Sequence, residues 1–142
     1  MTGVQTCALP ISPRTHSDLL FKGAVKDTAK SVYTGLIKIT ENATKSEAFQ
    51  TNRNLTLSHG AWAESVPNLE IETNDVKCSH ASTVGPIDDD QRFYLESRGI
   101  PTDVAERLVV FGFFDEVLER IPASSFTAEL RAKVAAKLGR TV

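Results

Sequence analysis

At Asp88 the hydrophobic period of this chain changes, so its two halves cannot belong to one kind of secondary structure. Before that point apolar residues alternate in short runs: Val32 with Thr34, Ile37 with Ile39, Leu55 with Leu57, Ala61 with Ala63 around Trp62, Leu69 with Ile71, and Val76 with Cys78. A period of two is that of a half-buried β-strand. Asn42, Asn52, Asn54, Gly60, Pro67, Asn68 and Asn74 lie between the runs and are expected to break them. The phase slips at Gly35, as a bulge or bend would make it. One spacing recurs: Asn54-Leu55-Thr56-Leu57 returns as Asn68-Leu69-Glu70-Ile71, fourteen residues on. Closely spaced short strands with Asn at corners suit a stacked parallel β-helix. They equally suit an antiparallel sandwich. Periodicity alone does not separate the two.

From Asp88 the pattern is helical. Asp88 followed by Gln91 has the spacing of a capping-box-like start, and Gly99 is placed as the residue that ends the helix. A short helix is expected between them, about Asp89 to Arg98. Thr102 is expected to cap a second helix reaching about Arg120, where Pro122 stops it. Val104, Leu108, Phe111, Phe114, Leu118 and Ile121 step through it by three or four. Ser125 is expected to cap a third helix to about Leu138, closed by Gly139. No charged residue occurs between Arg107 and Asp115. Two turns of the second helix therefore lack a polar face, which fits burial against the strands or a docking surface for another subunit.

Composition removes several classes of function. Sixteen Lys and Arg against eighteen Asp and Glu leave a net charge of -2, with no electrostatic case for nucleic acid or an anionic membrane. The longest apolar run, Leu108 to Phe114, is far short of the ~20 residues that span a bilayer. Two cysteines cannot build a disulfide framework or a four-cysteine zinc site. No GxxxxGK[ST], HExxH or GxSxG pattern occurs. Residues 1–12, MTGVQTCALPIS, carry neither charge nor periodicity and make a poor signal peptide. They fit a frayed terminus, but VQTCALPIS resembles one reading frame of a sequencing-library adapter. Residues 1–12 are therefore expected to be a non-native segment, with Cys7 carrying no function and the natural protein beginning upstream.

The densest chemistry is Asp75-Val76-Lys77-Cys78-Ser79-His80. Residues two apart on a strand share a face, so Cys78 and His80 point one way and Lys77 and Ser79 the other. A thiolate beside an imidazole can ligate iron, copper or zinc, or act as nucleophile and base. Two ligands are half a tetrahedral site, however, and a packed cysteine beside a hydrogen-bonded histidine is the simpler account. His16 and His59 are isolated and read as surface or turn residues. Asp88, Asp89 and Asp90 could hold a hard cation, but negative charge in a first helical turn already explains them.

From Val76 onward, VKCSHASTVGPIDDDQRFYLESRGIP resembles the signature of the SufB/SufD family of iron–sulfur cluster assembly proteins. Upstream, HSDLLFKGAVKDTAKSVYTGLIKI and QTNRNLTLSHGAWAESVPNLEIETNDV are similar to the coils that precede it there. Downstream, ERLVVFGFFDEVLERI resembles the family's C-terminal helix. The resemblance covers about Ser12 to Ile121, and its ordered blocks make it specific.

The resemblance implies a mainly β fold with C-terminal α: a truncated right-handed parallel β-helix over residues 13–87, then a small helical region over 88–142. It implies a cytoplasmic SufB–SufD heterodimer bound to the ATPase SufC, which builds nascent clusters from iron and persulfide sulfur. His80 matches the histidine at the SufB–SufD interface of SufD-type members, where a transient iron–sulfur cluster is thought to form and iron could be shared with SufB. Ala81 after His80, and the lack of cysteine between Pro13 and Lys77, favour the SufD type over the SufB type. Cys78 matches a common SufD-type cysteine without an assigned essential role. The implied SufC contact falls on the second helix, with Val104, Leu108, Phe111, Phe114 and Leu118 as candidates. The chain would then be a non-catalytic subunit, with ATP hydrolysis residing in SufC. Two other readings stand beside it: a β-helical carbohydrate-active enzyme, for which Glu70 and Glu72 supply a weak carboxylate row, and a purely structural interaction module.

Overall fold

The computed structural model describes residues 2–122 and 124–139. It contains six strands followed by three helices: β1 Thr2–Ala8, β2 His16–Val25, β3 Lys30–Ile39, β4 Glu47–Thr56, β5 Trp62–Ile71, β6 Lys77–Gly85, α1 Asp89–Glu96, α2 Thr102–Glu119 and α3 Ser124–Gly139. The chain divides into two compact units between Pro86 and Ile87.

In the strand unit every pairing is parallel, which sets the antiparallel sandwich aside. Two three-stranded sheets form, in the orders β1-β3-β5 and β2-β4-β6. Thr2 pairs with Ser31, His16 with Glu47, Lys30 with Trp62 and Glu47 with Lys77. Each strand thus meets the one 29 to 32 residues along the chain, an arrangement compatible with a β-helix. The fourteen-residue recurrence is not this repeat. Asn54 lies on β4 and Asn68 on β5, so it steps from one sheet to the other.

The corners are bonded in the same stride. Arg14 N–H donates to Thr44 O at 2.9 Å, Lys45 N–H to Asp75 O, and Glu72 N–H to Ile39 O at 2.9 Å. Arg14, Asp27 and Lys45 each turn the chain through left-handed backbone at φ 58°, 60° and 61°. One corner is a polar knot around the buried Ser46, whose Oγ lies 2.9 Å from Thr15 Oγ1 and donates to Ser12 O at 3.2 Å.

The apolar core is small: Ala8, Ile37, Ile39, Ala43 and Ala48, with Leu19, Val76 and Cys78 packed against it. The expected phase slip at Gly35 is absent. β3 keeps one register along its length, with Tyr33, Gly35, Ile37 and Ile39 buried and Val32 and Thr34 only half-buried. The break in pattern arises because Gly35 occupies an inward position, where a Cβ would sit 2.1 Å from Gln50 Nε2 and 2.8 Å from Tyr33 Oη.

Asn52 and Asn54 do not break a strand. They lie inside β4, buried, and Asn54 Nδ2 donates to Asn52 Oδ1 at 2.6 Å. The runs around Trp62 and Leu69 are likewise one strand, β5, with Pro67 in its interior. Proline is tolerated there because β5 is the margin of its sheet, where a missing N–H need not break a ladder on both sides.

The helical unit follows its local signals more closely. Asp88 caps α1, its carboxylate accepting from the N–H of Asp90 at 2.8 Å and of Gln91 at 3.2 Å. Gly99, at φ 83°, ends it: its N–H reaches Glu96 O at 2.9 Å and the Ile100 N–H reaches Leu95 O at 3.3 Å, the paired bonds of a Schellman motif. Thr102 does not cap α2. It is the first helical residue, Pro101 stands at the cap, and no side chain caps the helix. The expected cap at Ser125 falls within α3, and its side chain lies outside the described residues. Arg92 links α1 to α2, 2.7 Å from Asp89 and 3.7 Å from Glu106, while Arg131 of α3 lies 2.7 Å from Asp115 of α2. No helix among the described residues is long and apolar enough to cross a membrane.

Gly35→Ala is expected to destabilise the strand unit by about 1–3 kcal/mol, the range for overpacking a filled interior. Gly85→Ala, where a Cβ meets nothing within 4 Å, should change stability by no more than about 0.5 kcal/mol. Urea midpoints of the two variants, at equal denaturant slope, check the pair.

Candidate functional site

β6 carries both residues of the Cys/His pair. Its register sets Cys78 beside Ala48 and His80 beside Gln50, and both of those β4 residues are buried. Cys78 and His80 therefore occupy the inward face of β6, as alternation predicts. β6 has β4 as its one neighbour in the sheet, so this face lies at a sheet edge among the described residues. The two side chains fare differently there. Cys78 is half-buried against the apolar core, and burial pushes its thiol above the ordinary cysteine value. That favours the protonated thiol over the nucleophilic thiolate. His80 is exposed. Among the described residues no three His, Cys, Asp or Glu side chains gather into a metal site.

On the other face of β6, Lys77 stands beside Glu47 in register and the two ion-pair at 2.8 Å. Lys77 holds the Glu47 carboxyl below the ordinary glutamate range, chiefly by hydrogen bonding, and is itself raised by it. His16 lies 3.6 Å from the same carboxylate at the start of β2 and is exposed, as is His59 in a turn. A cleft of about 400 Å³ lies alongside, lined by Lys45, Ser46, Glu47, Asn74, Asp75, Val76 and Lys77.

The other candidates disperse. Glu70 and Glu72 lie 3.2 and 3.1 Å from Lys38, whose pKa they raise. Lys38 thus ion-pairs with both carboxylates of the row. Asp88 and Asp89 are engaged at the start of α1 rather than around a cation. On α2, Leu118 is buried, Val104, Phe111 and Phe114 are half-buried, and Leu108 remains 48% exposed.

One polar group escaped the sequence reading. Gln50, Asn52 and Asn54 form a buried row on the inward face of β4. Their i, i+2, i+4 spacing was the available signal, masked because asparagine ordinarily marks turns.

Residues 3–113 match the family described as SUF system FeS cluster assembly, SufBD core domain. An iron–sulfur cluster assembly SufBD family protein of Mycobacterium tuberculosis is 46% identical over 130 residues, covering 86% of this chain and 33% of that protein. Iron–sulfur cluster assembly protein SufD of Escherichia coli is 37% identical over 123 residues, 87% of this chain and 29% of that protein. SufD of Bacillus subtilis is 39% identical over 120 residues, 84% of this chain and 28% of that protein. The chain spans about a third of the length of the curated relatives it matches.

The Glu47–Lys77 pair makes stability depend on pH. A carboxyl whose folded pKa is lowered contributes stability above its unfolded value, and that contribution is lost as pH falls through the folded one. For Glu47 the loss begins below the ordinary value of 4.5. Glu47→Gln should therefore flatten the acid limb of a plot of urea midpoint against pH, by a small amount because both groups are solvated. An unchanged acid limb would count against the pair.

Proposed function

This chain belongs to the SufBD family of iron–sulfur cluster assembly proteins, and from that premise we propose that it acts as a SufD-type scaffold subunit of a cytoplasmic assembly complex. The SufD relatives in two bacteria support the type. In this reading the six strands wind as coils of a right-handed parallel β-helix, two strands to a turn. The constant stride of 29 to 32 residues and the two all-parallel sheets support that winding. The subunit has no catalysis of its own, and a SufC-type partner supplies ATP hydrolysis.

The observation that carries the reading is the placement of His80, exposed on the inward face of an edge strand and two residues from Cys78. An imidazole suits iron, and one imidazole is an incomplete ligand set. A SufB-type partner seated on this edge completes it, so that iron and sulfur are cargo held between subunits. The edge strands favour such a partner: Val66, Leu69 and Ile71 on β5 and Val84 on β6 are exposed. Apolar side chains along open strands mark an association surface. Cys78, half-buried and with its thiol kept protonated, is assigned no essential role. The SufC contact is assigned to α2, centred on exposed Leu108 and the half-buried Val104, Phe111 and Phe114 rather than on buried Leu118.

His80→Ala, in a complex reconstituted with SufB-type and SufC-type partners, is expected to lower cluster yield by about tenfold or more while SufC capture stays normal. Normal yield would remove the role given to His80. Leu108→Glu should do the reverse to binding: it weakens capture of the ATPase subunit by about tenfold, as loss of an apolar anchor does, and leaves the helical circular dichroism unchanged. Undiminished capture would move the contact away from α2.

A further inference from the structure

The strand interior holds a side chain whose polar atoms nothing nearby satisfies. Gln50 is 1% exposed, yet among the described residues neither Nε2 nor Oε1 has a hydrogen-bond partner. A buried amide in that condition is less favourable than an apolar side chain of the same volume. The fold nevertheless makes room for it, because a glycine at position 35 is what leaves space for the Gln50 amide. Tyr33 Oη, close to the same point, is also buried and finds no partner among the described residues.

The ladder shows what else stands beside this amide. Gln50 pairs in register with Leu19 on β2 and with His80 on β6. Register neighbours share a face at a strand spacing of about 4.8 Å. The row at this level therefore runs from an aliphatic side chain through an amide to an imidazole. Leu19 can take no hydrogen bond, whereas an imidazole can.

We propose that Gln50 is a positioning residue for His80: its Oε1 accepts the N–H of one imidazole nitrogen, which fixes the tautomer and leaves the lone pair of the other nitrogen for iron. The inference rests on the cluster role of His80 proposed above. Once a partner covers the edge, the ring lies against the interior face, and the amide of its register neighbour Gln50 supplies the acceptor. Histidine ligands ordinarily need such an orienting partner, and its loss lowers metal affinity or activity about ten- to a hundredfold.

The test uses the reconstituted complex with SufB-type and SufC-type partners. Gln50→Leu should lower cluster yield about ten- to a hundredfold, while the urea midpoint stays level or rises because an unpaired amide has been removed. Gln50→Glu keeps an acceptor at the same reach and should recover most of the yield. Nitrogen-15 spectra of the His80 ring should show one tautomer in the wild-type complex and a mixture in Gln50→Leu, a readout that packing alone does not move. Wild-type yield with an unchanged tautomer in Gln50→Leu overturns the proposal. So does a joint loss of yield and stability with the tautomer unchanged. His80→Ala separates this inference from its premise: normal yield there removes the cluster role of His80, while the tautomer in Gln50→Leu still decides whether the amide orients the ring.

Discussion

Parallel backbone pairing at a stride of about thirty residues is the constraint on which the strand unit depends. A parallel partner cannot be reached by a tight hairpin, so each strand must wait for the chain to travel out and return. Once that stride is set, the ladder decides which side chains stand together. Glu47 meets Lys77 and Lys38 meets Glu70 because they are register partners. The same rule aligns Leu19, Gln50 and His80 in one row. The apolar core is correspondingly modest, built from alanines and two isoleucines. Much of the cohesion therefore falls to the ladders and the bonded corners.

How much of this could be read in the sequence depended on the range of the interaction. Asp88 and Gly99 bound α1 through bonds that span two to five positions, and both were legible. The β-to-α change was legible for the same reason. The pairing of the strands was not, because the relevant neighbours lie thirty residues off, and the one recurrence visible at fourteen residues crosses between sheets. Asn52, Asn54, Pro67 and Asn68 lie inside strands, although locally sound rules make them breaks. Stacked amides and an edge position reverse those rules, and neither is a local property. At the site, the shared face of Cys78 and His80 followed from alternation alone. That one of them is half-buried and the other exposed depends on where the sheet stops.

The proposed function divides the labour among chains. The described residues supply a histidine at a sheet edge, apolar side chains along two open strands, and a helix with an exposed leucine among half-buried phenylalanines. Each is a fraction of a function. The family match spans residues 3–113, and under the scaffold role proposed above these fractions become mutually intelligible, because a scaffold shows to its partners what an enzyme would enclose. The positioning role proposed for Gln50 fits the same logic, with stability given up where a neighbouring ring requires orientation.

The thirty-residue stride also sets a clock. A ribosome adding about 5–20 residues each second takes on the order of 1.5–6 s to deliver the next partner for any given strand. Closing a short flexible loop takes only about 10–100 ns. On the ribosome the strand unit would thus be assembled at the pace of translation rather than of diffusion. Each of the two ladders would spend seconds with one fresh edge open, and the edge that carries His80 is the last of them to appear.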